Sequence, residues 1–460
     1  MVIGLKVIRP HPIYVFYDAQ KWILILALPI LRTVFSHQDI VSATVSSMRD
    51  LALACLLITY SFLKWRGARY SLSDGLTLKH GIFRKRTLRI MEEHAASIEV
   101  ECTPLMWLAR ARRVSISTAG LRDRVDAAIY MSARAVSERT VGSRRAMRYS
   151  ARIFPVVILA ASSSNAAIGL LTLAPALRNV GKVLGRDLSG ELVGLSAQIM
   201  SLGLPLLNNV ANLFVLGWCF AFVRTFMRFS GFFAEQDGQR LYLTSGLVTR
   251  RDTYIDCRRI TSMDLRQTLF MRVLGVYCVS ITAAGYGRGR GGRPVIIPAA
   301  HKRELCTALD TLLPDYPTCT ALLRPVRRSI IGRAVPPVLV TAAGLLLWAY
   351  GGVLRAASIV ILAGGLWWLC VRITGSVRAG IGVSNNAVSM RYSRGLALHE
   401  VHIPIEVADC IRVTRAPWQK KTCTAALMTY SEKRRRHRVR GLPYEAACKL
   451  ANDMLTGISD

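Results

Sequence analysis

Acidic residues are scarce in this chain. Across 460 residues, 28 Asp and Glu stand against 61 Lys and Arg, for a net charge of +33. Charge of either sign is thin, at 19%, while 52% of residues are hydrophobic. That apolar content excludes an intrinsically disordered chain. A soluble nucleic-acid binder would account for the charge, but not for apolar runs such as residues 51–63 and 335–350. The eleven Cys include no C-x-x-C pair, so a zinc ribbon is unsupported and a disulfide framework is not expected. No small-residue cleavage site follows the run at 22–35, so no cleavable signal peptide is expected. No Ser/His/Asp or Cys/His set stands out, and His11, His37, His80, His94, His301 and His437 are isolated. No catalytic residue, metal site or cofactor is therefore expected.

The abundant features are apolar runs, and they come in three pairs: 22–35 with 50–63, 154–173 with 197–222, and 335–350 with 356–373. A helix needs roughly 20 mainly apolar residues to cross the hydrocarbon. The second pair meets this, the third comes close, and the first is short, with Arg32 interrupting one run. Six spans are expected, with interfacial helices as the alternative for the first pair. Basic residues concentrate between pairs: 19 Lys and Arg over 64–152, 18 over 224–333 and 14 over 378–460, against none over 37–47. By the positive-inside rule, both termini and all three large segments face the cytoplasm of a cell-membrane protein.

The segments repeat. Sliding 76–120 by 165 positions onto 241–285 aligns them without a gap, with 13 of 45 residues identical. Matches include Leu76/Leu241, Gly81/Gly246, Arg86/Arg251, Ile90/Ile255, Met106/Met271 and Val114-Ser115-Ile116 with Val279-Ser280-Ile281. A weaker third copy at an offset of 313 pairs Ile90, Ala95, Val100 and Pro104 with Ile403, Ala408, Val413 and Pro417. Alternating residues around the turn Ser73-Asp74-Gly75, then 84–90, 96–101 and 114–118, predict strands. A short helix at 104–109 is expected behind Thr103 as N-cap, and amphipathic helices at 302–313 and 444–455 are expected to close the later modules.

The run from Arg69 through Ser71, Asp74-Gly75, Lys79, Gly81 and Arg84-Lys85-Arg86, followed by Ile90 and Ser97-Ile98-Glu99-Val100, resembles the bacterial pleckstrin-homology (PH) membrane domain. Three copies joined by helical pairs behind Arg9-Pro10-His11-Pro12 are similar to YdbT-like membrane proteins. The resemblance implies a curled β-sheet with a capping helix, no established catalytic residues, a smaller companion of the same domain type, and a link to tolerance of membrane-active peptides. The expected fold is an α+β multi-pass membrane protein, with three transmembrane helical hairpins each followed by a PH-like curled β-sheet module with a C-terminal helix. The expected division is 1–65 (hairpin 1), 66–150 (module 1), 151–228 (hairpin 2), 229–330 (module 2), 331–376 (hairpin 3) and 377–460 (module 3).

Three sets of residues are candidates for function. Lys79, Arg84 and Arg86 resemble the basic signature of phosphoinositide-binding PH domains, and converging cations can hold a phosphate. The second copy keeps Arg250 and Arg251 but has Thr244 where Lys79 stands. Lys433, Arg434, Arg435, Arg436 and Arg438 form a basic run suited to anionic headgroups, with a solvated loop or nucleic acid as rival readings. Ser163, Asn165, Asn208 and Asn212 fall near the middle of the second apolar pair. There they serve either as interhelical hydrogen-bond glue or as a polar spot on a substrate path. The GxGxxG match at 287–292 is followed by strand-like residues rather than a helix, so nucleotide binding is rejected. His399 and His402 lack the i, i+4 spacing of a helical zinc site. The function expected is a non-enzymatic membrane scaffold whose modules contact anionic lipid and a companion, with self-association open and no nucleic acid bound. The alternative is a transporter or flippase for lipid or peptide.

Overall fold

A computed structural model of the chain describes residues 8–20, 40–71, 76–81, 85–91, 94–118, 127–137, 147–163, 205–283, 294–314, 316, 323–326, 328–350, 355–384, 387–415, 422–429 and 436–456. Each repeat folds as two three-stranded antiparallel layers. The first has β1 (Arg69–Ser71), β2 (Leu76–His80) and β3 (Arg86–Ile90), then β4 (Ala95–Cys102), β5 (Ala111–Thr118) and β6 (Ala127–Ser132). Strand β7 (Met147–Ser150) precedes the second helical pair. The second repeat has β8 (Phe233–Asp237), β9 (Arg240–Ser245) and β10 (Arg250–Asp256), then β11 (Ile260–Thr268), β12 (Val276–Ala283) and β13 (Val295–His301). The third has β14 (Gly380–Val383), β15 (Ala387–Arg394) and β16 (Ala397–Pro404), then β17 (Ala408–Thr414), β18 (Thr422–Thr429) and β19 (Arg436–Pro443).

The repeat is visible in detail. Thr103 Oγ1 accepts from the Met106 amide (3.4 Å), and Thr268 Oγ1 accepts from the Met271 amide (3.2 Å), each opening a five-residue helix whose Met is buried. These are the N-caps that position 103 predicts. A register shift recurs between Ala95 and Ser97, Ile260 and Ser262, and Ala408 and Cys410, so each second layer curls at the same point. Helices Ala133–Ser137, Lys302–Leu312 and Tyr444–Thr456 follow the three second layers. In the middle module Leu305, Ala308 and Leu312 line one helical face and pack on Leu241, Ile255, Met263, Ile281 and Ile296.

The layers do not stay within their repeats. β4–β6 and β8–β10 share one seven-stranded sheet in the order β6-β5-β4-β10-β9-β8-β7. β11–β13 and β14–β16 share a six-stranded sheet in the order β13-β12-β11-β16-β15-β14. Segments upstream of each helical pair also join the sheet downstream of it: Ile8 bridges Tyr70, β7 pairs with β8, and Leu323 bridges Ile381. Strand pairing thus joins the chain before each apolar pair to the sheet after it. The Arg9–Pro12 motif is anchored there too. The Trp65 indole donates to the Pro10 carbonyl (2.8 Å), and the His11 amide to the Tyr130 carbonyl (2.8 Å).

Among the described residues one helical stretch, Ile331–Tyr350, is long and apolar enough to cross a membrane, with shorter apolar helices at Ile153–Ser162 and Ile361–Val377. The run at 22–35 lies outside the described residues. The run at 50–63 falls inside helix Ile40–Gly67, and that at 197–222 overlaps helix Pro205–Phe229. The second pair meets where the Trp218 indole donates to the Ala161 carbonyl (3.2 Å). Helices Arg328–Tyr350 and Arg355–Val377 pack closely: a Cβ on Gly344 would sit 3.1 Å from Leu362, and one on Gly365 2.7 Å from Thr341. Those two contacts fix an antiparallel hairpin held by small residues, the usual way helices approach in lipid.

Candidate functional site: an arginine-lined cavity

The base of the third hairpin meets its module at a cavity of about 580 Å³. Arg333 and Arg372 enter from the two helices, Arg394 from the β15–β16 turn, and Arg438 and Arg440 from β19, with Tyr392 on the wall. Strand periodicity places the last two. In Arg436-His437-Arg438-Val439-Arg440, His437 and Val439 are buried while Arg438 and Arg440 are exposed, the alternation a half-buried strand imposes. No carboxylate lies among the described lining residues. Arg333 Nη1 donates to Ser376 Oγ (3.2 Å), whereas its Nη2 is buried without a partner among the described residues. Arg372 lies over the Trp368 ring at 5.6 Å.

Five guanidiniums around one space repel each other, and a desolvated donor left unpaired costs free energy. A phosphate-type oxyanion entering this space would offset both terms, because guanidinium forks match phosphate geometry. The wall is tied into the junction with the second module. Tyr392 Oη lies 2.7 Å from His437 Nδ1, its ring stacks on His399 (centroids 5.5 Å apart), and His399 Nδ1 lies 3.0 Å from Asp264. Beside it Arg391 donates to Glu400 (2.6 Å). Burial alone would raise the Glu400 carboxyl, but hydrogen bonds from His402 and Arg391 outweigh it and hold the group at about 2.

The other sequence-derived candidates are distributed differently. Lys79 pairs across β2–β3 with Thr87, and His80 with Arg86, so Lys79 and Arg86 point to opposite faces rather than converging. Lys79 instead shares its face with Arg69, its partner on β1, and with Arg89, and all three are exposed. Arg84 lies outside the described residues. Arg250 pairs with Asp252 (3.2 Å), which also accepts from Thr244 (3.0 Å). Arg251 faces Glu101 (3.2 Å) and Glu99 (4.0 Å) across the junction with the first module. These two cations serve internal ion pairs, Arg250 with Asp252 of its own module and Arg251 with Glu99 and Glu101 of the first. Lys433, Arg434, Arg435 and Asn165 lie outside the described residues. Arg436 begins β19, Ser163 ends helix Ile153–Ser163, and Asn208 and Asn212 lie in helix Pro205–Phe229. The GxGxxG stretch is also outside them. Sequence reasoning missed Arg333, Arg372 and Arg394 altogether. The period-two spacing through Arg440 was the one signal that could have extended the basic run into the cavity.

The Bacterial PH domain family matches residues 23–140 and 168–313. Among curated proteins the chain is similar to "UPF0699 transmembrane protein YdbT" of Bacillus subtilis (strain 168), 22% identical over 314 residues, covering 61% of this chain and 63% of that relative's length. No solved structure matches.

Proposed function

The chain belongs to the Bacterial PH domain family, matched over residues 23–140 and 168–313, and from that premise we propose a non-enzymatic membrane scaffold whose arginine cavity holds the phosphate of an anionic lipid headgroup. The observation that carries the reading is the buried Nη2 of Arg333, without a partner among the described residues, in a space walled by five guanidiniums. Arg333 lies near the start of the stretch Ile331–Tyr350, which puts the cavity at headgroup depth if that stretch spans. The excess of Lys and Arg between the apolar pairs supports a cytoplasmic position for all three modules, and a relative named as a transmembrane protein supports a membrane setting. Six spans, contact with a companion, and a part in envelope stress belong to the same proposal. The strand pairing that joins the chain on either side of each apolar pair supports a scaffold rather than a transporter, since it ties the flanks of those pairs to continuous sheets.

The test uses the full chain purified in mild detergent. Phosphatidylglycerol should raise its thermal midpoint, and phosphatidylcholine should not. Inorganic phosphate at matched concentration separates a lipid site from a free-anion site. Stabilisation by phosphatidylcholine equal to that by phosphatidylglycerol, with none from phosphate, contradicts the reading.

A further inference from the structure

Both junctions between modules obey one rule. β10 of the second module pairs antiparallel with β4 of the first, from Arg250 opposite Cys102 to Ile255 opposite Ser97. β16 of the third pairs with β11 of the second, from Ala397 opposite Thr268 to His402 opposite Met263. Under the sequence repeat, positions 250 and 102 correspond to 398 and 267, and Leu398 does lie opposite Gln267. The two registers are therefore the same. Each junction also sets a basic side chain of the arriving strand against a carboxylate of the receiving strand. Arg251 contacts Glu99 and Glu101, and His399, at the repeat position of Arg251, contacts Asp264, at the repeat position of Glu99.

The tandem ends with one edge of each kind. β3 is the arriving type, and among the described residues its outer edge has no strand partner. Its exposed Arg86 occupies the repeat position of Arg251 and His399. β17 is the receiving type and likewise ends its sheet. At the repeat position of Glu99 and Asp264, however, it carries an exposed Arg412. The shared register would set Arg86 opposite Thr414 and Leu88 opposite Arg412, so that Arg86 meets Arg412 where the built junctions place a carboxylate. Like charges across strands are destabilising, and charge is a common guard on an open edge.

We infer that β3 is a docking edge for a PH-like module on a different chain, one whose receiving strand carries a carboxylate at the Glu99 position, and that Arg412 keeps the chain from pairing with itself. The backbone ladder supplies affinity and the charge pair supplies selection, as in other strand-addition complexes. The inference stands on the two junctions alone and is independent of the cavity.

A charge-swap cycle on the full chain in detergent tests it. A tagged Arg412→Glu variant presents an acidic β17 and serves as the probe, with untagged wild type as its recipient. Capture should exceed capture by tagged wild type at least tenfold, and it should return to background when the recipient carries Arg86→Glu. Tagged wild type should in turn capture the Arg86→Glu chain, which presents the opposite swap. Both sites are exposed, and unchanged thermal midpoints verify that the variants fold. Wild type that captures wild type as well as Arg412→Glu does, or swaps that change nothing, overturns the inference.

Discussion

The first and third modules both display cations, but on surfaces of different shape. In the first, Arg69, Lys79 and Arg89 project from the flat outer face of β1–β3, exposed and spaced along the pleat. In the third, Arg333, Arg372, Arg394, Arg438 and Arg440 converge on a cavity closed on one side by a helical hairpin. A flat face meets any anionic surface through screened charge, an interaction that fades once charges lie beyond about 8 Å at physiological salt. In the cavity Arg333 keeps a buried donor with no partner among the described residues, so an anion bound there gains a charge-assisted hydrogen bond that salt screens less than an exposed pair. Net charge is the same resource in both places; curvature decides whether it yields adhesion or selection.

The largest effect should come from breaking the cavity. Arg333→Gln with Arg372→Gln should lower affinity for a short-chain phosphatidylglycerol by roughly 3–6 kcal/mol, at about 1.5–3 kcal/mol per charged hydrogen bond. Titration calorimetry at 0.05 and 0.5 M salt would check this, and only the wild type should keep its affinity at high salt.

Next comes the acid sensitivity of the third module. Glu400 has its carboxyl lowered from 4.5 to about 2 in the folded chain. A depressed carboxylate contributes stability above its unfolded value and loses it as pH falls through the folded value. The stabilisation should therefore be complete above pH 4.5 and disappear toward pH 2. Its size is roughly 3 kcal/mol at about 1.4 kcal/mol per unit. Glu400→Gln should flatten that stretch of the pH–stability curve measured by thermal melts, while the first module's flat face contributes no such step.

The smallest effect belongs to the flat face. Lys79→Gln should weaken attraction to an anionic bilayer by about 1 kcal/mol at low ionic strength, and by less at physiological salt. Quenching of a dye at Thr77 by headgroup-labelled lipid in nanodiscs would read it. A salt-independent loss at Lys79 would erase the contrast between the two modules.

Much of this fold was legible in the sequence, and the reason is local. Thr103 and Thr268 announce the same short helix, since an N-cap bond spans three residues. The alternation of 114–118 and the stripe Leu305, Ala308, Leu312 follow from strand and helix periods alone. The junctions were not legible, because Arg251 finds Glu101 across 150 positions and His399 finds Asp264 across 135. By spacing alone Arg251 reads as a phosphate contact, whereas in the fold its partners are Glu99 and Glu101 of another module. The cavity was hidden for a related reason. In the sequence Arg333 and Arg372 are flanks of apolar runs, while Arg440 closes a basic run some distance away. Only the antiparallel packing at Gly344 and Gly365 brings the two helix ends level and beneath β19.

The claim that a phosphate headgroup sits among the five arginines is tested most directly by native mass spectrometry of the full chain released from detergent. The wild type should retain an anionic phospholipid through gentle activation, and the Arg333→Gln, Arg372→Gln double variant should lose it while keeping its melting behaviour. The same retained lipid on both proteins, at the same activation energy, would contradict the account.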